Sequence, residues 1–295
     1  RFPPRREVDA TRSLLSELGD PHEDVAAVQI AGSNGKGSTA RMLESTLREA
    51  GLTVGLYTSP HLDDVRERIR VDGRKIPKSS LIEFVETVKS YVTDRAADGD
   101  APTFFETLTA LALWEFDRQD VDVAVLEVGI GGRYDATSVV DPVASAVTSA
   151  TLEHTDILGD SVDEIAADMA HVAPDDRPLV CGVNGNGREA AAEVAGDLLT
   201  VGTGDDADIR VKYGGRSGLE GAVALDGDRW GVKTKLPLLG QYQAENAGVA
   251  AGLVRQVADV DEETLALGLR NAHWPGRFEV MEGDPLVVLD GAHNP

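Results

Sequence analysis

Before about Ile209, short and nearly continuous apolar runs alternate with stretches whose apolar residues recur every three or four positions. Continuous runs mark strands buried on both faces, and the wider spacing marks helices with one buried side. The predicted strands are Val25–Ala31, Val54–Tyr57, Val121–Val128, Ala144–Thr148 and Leu179–Val183. Helical spacing surrounds Leu14, Leu15 and Leu18. It resumes near Gly37, continues through Met42, Leu43, Thr46 and Leu47 to a stop at Gly51, and returns over Thr103–Phe116. RERIRVDGRKIP suggests a short ribbon turning at Asp72-Gly73, and Ser79 or Ser80 is placed to cap a further helix. Residues 88–101 are polar and end in a loop, and GIGGRYDATSVVDP is a second loop. Strands separated by helices form βαβ units, so the expected fold class is α/β with a doubly wound, mostly parallel sheet. From Ile209 the segments are short and alternating, with Gly and Asp-Gly turns, which predicts a small antiparallel β section. Helices over Gln243–Val257 and Glu262–Asn271, a hinge at Trp274–Arg277 and a strand at Pro285–Leu289 follow.

The segment Val28–Thr39, VQIAGSNGKGST, reads as a strand, a glycine-rich turn and a helix start. Backbone N–H groups converging at a helix N-terminus cradle phosphate oxygens. Asn34, Gly35, Lys36, Gly37, Ser38 and Thr39 form the candidate loop, with Lys36 as the cation and Ser38 as a metal-binding hydroxyl. The fit to GxxxxGK[ST] is imperfect. Ile30 occupies the first glycine position, and Gly37 separates Lys36 from Ser38.

The bulk numbers narrow the choice of partner. Lys+Arg total 28 against 51 Asp+Glu, a net charge of −23, and the acid is spread along the whole chain. No basic stripe is available, which argues against nucleic acid. Nor does the net field attract anions, so an anion site must rest on local dipoles, arginines and metal. Dispersed acid with only seven lysines fits adaptation to high salt, where screening relieves self-repulsion. A 42% hydrophobic content supports a core, and no apolar run is long enough to span a membrane. The segment RFPPRREVDA does not read as a secretory signal, and a single cysteine, Cys181 in an apolar run, fits a reducing cytoplasm.

Ligands collect beyond the carboxyl ends of strands in such sheets. Four predicted strands end in polar groups: Ser33–Ser38, Ser59 with His61, Glu127, and His154. Hydroxyls, a carboxylate and an imidazole meeting at a triphosphate would form an Mg²⁺ site. A carboxylate inside an apolar strand is costly to bury unpaired. Glu127 is therefore either functional or an ion-pair partner of an arginine such as Arg133.

Seven blocks, AGSNGKGST, YTSPHLDDVRERIRVDG, FFETLTALAL, LEVGIGGRYDATSVVDP, LEHTDILGDSVDEIA, WPGRFEV and LDGAHNP, together resemble folylpolyglutamate synthase and dihydrofolate synthase of the Mur ligase superfamily. The GKGS loop is typical of that group. The resemblance implies an ATP-dependent ligase that joins L-glutamate to dihydropteroate or folate through an acyl phosphate. In that scheme Lys36 neutralises the γ-phosphate, and Ser38, Ser59 and Glu127 hold one Mg²⁺. His154 with Glu127 holds a second. Asn246 and Arg277 contact the nucleotide, and Asp290 and His293 reach the site from a second domain. Phe104, Phe105 and the ribbon after His61 border the pterin, although both phenylalanines also suit a core.

Two departures stand out. Where the family carries a carbamylated lysine after the EIA segment, this chain has Met169, with Asp168 and His171 nearby. A thioether does not replace a carboxylate on Mg²⁺. Residues 1–275 would form the ATP-binding domain and 276–295 the start of a C-terminal ligase domain, which makes the sequence read as part of a longer protein. Two alternatives stay open: another Mur-type ligase, or a nucleotide-binding module without turnover.

Overall fold

The computed structural model describes residues 8–281 and 283–291. Along the chain run α1 (Asp9–Glu17), β1 (Ala27–Ala31), α2 (Lys36–Glu49), β2 (Val54–Tyr57), β3 (Ile69–Val71), β4 (Arg74–Lys75), α3 (Lys78–Ala97), α4 (Phe104–Arg118), β5 (Val123–Glu127) and β6 (Pro142–Val147). Next come α5 (Thr155–Leu158), α6 (Val162–Met169), β7 (Leu179–Cys181), α7 (Asn186–Ala195), β8 (Leu198–Gly202), β9 (Ile209–Ser217), β10 (Glu220–Gly227) and β11 (Trp230–Leu236). The described chain closes with α8 (Gln241–Val257), α9 (Glu262–Arg270), β12 (Glu279–Met281) and β13 (Val287–Leu289).

Eleven strands form one sheet in the order β11-β10-β9-β8-β7-β6-β1-β5-β2-β3-β4. From β8 to β2 all pairs are parallel, and β9 also joins β8 in parallel register, Val201 opposite Ile209. The antiparallel section is thus an extension of the main sheet and not a separate one. At the other edge the β3–β4 ribbon turns at Asp72-Gly73 and pairs antiparallel with β2. β12 and β13 form their own two-stranded sheet.

The continuous apolar runs are explained by burial on both faces. In β5, Val123 and Val125 face a core shared with α2, α8 and α9, and Ala124 and Leu126 face one shared with α1, α3 and α4. A third cluster packs α6 and α7 on β7 around Ile165, Met169 and Cys181. The polar exception in β1 is Gln29, which is buried and donates to Thr137 Oγ1 at 3.1 Å.

Two readings need correction. The loop predicted at DRAADGDA, residues 94–101, opens only after Ala97, because α3 continues through 94–97. Neither Ser79 nor Ser80 caps that helix, because its N-cap is Pro77, with no side-chain bond. Ser80 is buried, and its hydroxyl donates to Glu115 Oε1 at 2.9 Å, joining α3 to α4. In addition, α7 and β8 form where no element was predicted; the first three residues of β8 are only partly buried, and Thr200 interrupts its apolar run.

Candidate active site

The loop between β1 and α2 sits at the carboxyl end of the central strand. It is held from the side by the segment after β6. Ser33 N–H donates to Ser149 O at 2.9 Å and Asn34 N–H to Ser149 Oγ at 3.0 Å. The Thr148 hydroxyl donates to Asn34 O at 2.6 Å, and Ser33 Oγ accepts from Thr151 N–H at 2.9 Å. Gly35 is the N-cap of α2, with φ 90°, and offers no side-chain cap. The N–H groups of the first turn have no intrahelical partner and face the crevice with the positive end of the helix dipole. A side chain at Gly35 would also strike Asn246, whose Oδ1 overlaps the position of a Cβ.

Lys36 folds back over its own loop, with Nζ donating to Gly32 O at 2.5 Å and Ser33 O at 3.3 Å. Beside it lies Glu127, the last residue of β5, 5% exposed. Glu127 Oε2 accepts the Ser59 N–H at 2.8 Å. Burial pushes its pKa up, and Lys36, the Ser59 N–H, Arg277 and Arg68 each pull it down. Arg133 is not among these partners and lies over the Tyr134 ring at 5.1 Å, so the ion-pair reading of Glu127 with Arg133 fails. Gly37 lies against the same carboxylate: a Cβ there would sit 3.3 Å from Trp274 Nε1, slightly tight, and in ordinary contact at 3.4 Å with both Glu127 oxygens.

Ser38 is buried one turn into α2, and its hydroxyl accepts from Gln243 Nε2 at 3.2 Å. Gln243 Oε1 in turn accepts from Asn246 Nδ2 at 3.0 Å. The chain near Asp290 reaches the same neighbourhood. Gly291 N–H donates to Gly276 O at 2.8 Å beside Arg277, and Tyr242 is raised in pKa first by burial and then by Asp290, with Arg277 opposing. His293 lies outside the described residues.

The structure therefore gathers Lys36, Ser38, the Ser59 backbone, Glu127, Asn246 and Arg277. It does not show His154 joining them. That residue is exposed, with φ 48°, at the start of α5. Among the described residues no three His, Cys, Asp or Glu side chains form a metal cluster. The Met169 side chain is 1% exposed and packs in the third core cluster. Asp168 Oδ1 accepts the Gly132 N–H at 3.0 Å and so staples the glycine loop. His171 is exposed on its helix. The two phenylalanines part company: Phe105 packs on Tyr57, whereas Phe104 is 61% exposed with Arg68 above its ring at 5.5 Å. Arg68 also donates to His61 Nδ1 at 2.8 Å.

Gln243, Thr148 and Asp135 were not singled out as site residues, and Trp274 was read only as part of a hinge. Asp135 is buried and accepts from the N–H groups of Gly129 and Ile130, fixing the loop that follows Glu127. A signal for Gln243 existed: two amide side chains three residues apart in an alanine-rich helix share one face. Thr148 and Trp274 act through partners distant in sequence, on the loop before α2 and on its first turn, whereas the partners of Asp135 lie within its own loop. Hard oxygen donors from Ser38 and Glu127 suit Mg²⁺, which keeps waters and takes phosphate oxygens to complete its shell.

A doubly wound α/β sheet with a glycine-loop crevice at its central strand defines the class. A family model for the Mur ligase middle domain matches residues 30–254. A probable bifunctional folylpolyglutamate synthase/dihydropteroate synthase of Halobacterium salinarum is 62% identical over all of this chain, which spans 37% of that protein's length. The folylpolyglutamate synthase of Lacticaseibacillus casei is 36% identical over 96% of the chain and 68% of its own length. A solved complex of FPGS with AMPPCP and folate superposes with a TM-score of 0.92 at 32% identity, covering 100% of this chain and 74% of the other. The chain belongs to the Mur ligase family, among the folylpolyglutamate synthases. Among the described residues no helix is long and apolar enough to cross a membrane.

Proposed function

We propose that the protein of which this chain forms the nucleotide-binding part is an ATP-dependent ligase joining L-glutamate to dihydropteroate or folate. The observation that carries the proposal is the buried Glu127 carboxylate facing Lys36 and the first turn of α2. A buried carboxylate is expensive unless charge compensates it, and a bound metal–phosphate assembly supplies that charge. The solved complex with AMPPCP and folate adds weight from a relative.

The γ-phosphoryl group passes to the acceptor carboxylate to give an acyl phosphate. The glutamate amine attacks the acyl carbon, and inorganic phosphate leaves. Bringing several anions together makes positioning and charge neutralisation the main task. Lys36 leaves its carbonyl partners for the γ-phosphate. The α2 N-terminus holds phosphate oxygens, and Asn246, Arg277 and Asp290 hold the nucleotide. Ser38, Ser59 and Glu127 would hold Mg²⁺, and the metal would supply charge neutralisation at the phosphates.

The test is ADP release by the purified protein in molar salt. The ligase reading requires release that depends on both a pteroate-type acid and L-glutamate. Nucleotide binding with no such release would leave only the nucleotide-binding module.

A further inference from the structure

We propose that Gln243 is a positioning residue that sets the Ser38 hydroxyl as a metal ligand. A serine hydroxyl has one proton and two lone pairs. Gln243 Nε2 occupies one lone pair at 3.2 Å, so the other lone pair and the proton are what Ser38 offers to the crevice.

The contact is continued by a second one. Gln243 Oε1 accepts from Asn246 Nδ2 at 3.0 Å, so in this arrangement the Gln243 amide turns its nitrogen toward Ser38. A flip of the Gln243 amide alone would set two N–H groups against each other at Asn246. All three side chains are buried, with Gln243 only 1% exposed, so water does not substitute readily for any of them. Asn246 at the far end abuts Gly35, where a Cβ would collide with its Oδ1. The relay thus links the N-cap of α2 to the hydroxyl three residues further on. One helix, α8, holds both amides, so it sets the loop and the ligand in register.

The inference rests on the ligase reading only in taking a metal–nucleotide complex as the ligand. Groups that orient a metal ligand typically change metal affinity by about 10–100-fold when removed. Gln243→Met keeps the length and removes the donor. Binding of Mn²⁺ in the presence of AMPPCP, followed by electron paramagnetic resonance, reads the effect without turnover. In Gln243→Met the affinity should fall about tenfold, while metal-free AMPPCP binds within about twofold of wild type. In Ser38→Ala the loss should be comparable, and the double variant should be no weaker than Ser38→Ala alone, because both changes remove one interaction. Full Mn²⁺ affinity in Gln243→Met, or additive losses in the double variant, would overturn the proposal. Should the methionine variant unfold, Gln243→Leu, which also lacks a donor, takes its place. Wild-type ADP release measured alongside separates the two readings. A failed ligase assay with a non-additive metal cycle sinks the function and leaves the relay standing.

Discussion

Glu127 shows how a site residue works against the stability of its own fold. Its carboxyl sits at the end of an apolar strand, with one backbone N–H and nearby cations as relief. Burial outweighs them, so its folded pKa lies above the unfolded value. The folded state then holds the proton more tightly than the unfolded state, and stability falls as pH rises from the unfolded pKa through the folded one. Replacing the carboxylate with an amide keeps the shape and sheds the charge. Glu127→Gln should therefore be more stable than wild type at pH 7, by on the order of 1 kcal/mol, with the gap closing in acid as wild type becomes protonated. Melting curves at several pH values check this. A gap that widened in acid would contradict it. The same variant should lose Mn²⁺ binding. Lys36 presents the complementary case, because its ammonium rests on two loop carbonyls and carries no core packing. Lys36→Ala should cut ADP release by about 100-fold or more and leave far-ultraviolet circular dichroism unchanged.

At the scale of elements, Ser80 shows what local pattern hides. Two serines stand near the start of α3, and their spacing suited a cap, yet the helix starts earlier at a proline-led turn. Ser80 instead satisfies one oxygen of Glu115, a side chain 1% exposed and 35 positions away. Gln119 donates to the same oxygen at 3.1 Å. Ser80→Ala should cost roughly 1–2 kcal/mol, because a buried carboxylate loses a donor. Ser79→Ala, at an exposed position, should change stability by less than about 0.5 kcal/mol. Urea titration of both variants checks the contrast, and equal losses would restore the capping role. The central strands were legible because burial on both faces leaves an unbroken apolar run, as in β5. The α7–β8 stretch was not, because the first three residues of β8 are only partly buried and Thr200 breaks its apolar run. Nor did the alternation in β9–β11 reveal that β9 would dock in parallel on β8, since register between strands is a tertiary choice.

Across the whole molecule the site was legible because topology converts strand order into proximity. β1 lies between β5 and β6, so the glycine loop, Glu127 and the segment after β6 meet at one edge. The Ser59 turn joins them through β2, next to β5. Less legible was the lateral support: Thr148 and Gln243 are polar residues whose partners become visible only in three dimensions. His154 illustrates the reverse, a suggestive residue that the fold leaves on an exposed turn. Charge acts on the same scale. A net −23 spread over the surface repels itself at low salt, and the screening length shrinks from about 10 Å at 0.1 M to about 3 Å at 1 M. The thermal midpoint should therefore rise between about 0.1 and 2 M KCl, and a flat or falling midpoint would remove the high-salt reading.

The most direct measurement is ADP release by the purified protein in molar KCl with ATP and Mg²⁺, as dihydropteroate or folate and L-glutamate are omitted in turn. Release that needs both the acid and the amino acid, and is lost in Lys36→Ala, is the expected result. Release indifferent to either substrate, or equally fast without Lys36, would contradict the assignment of this crevice to glutamate ligation.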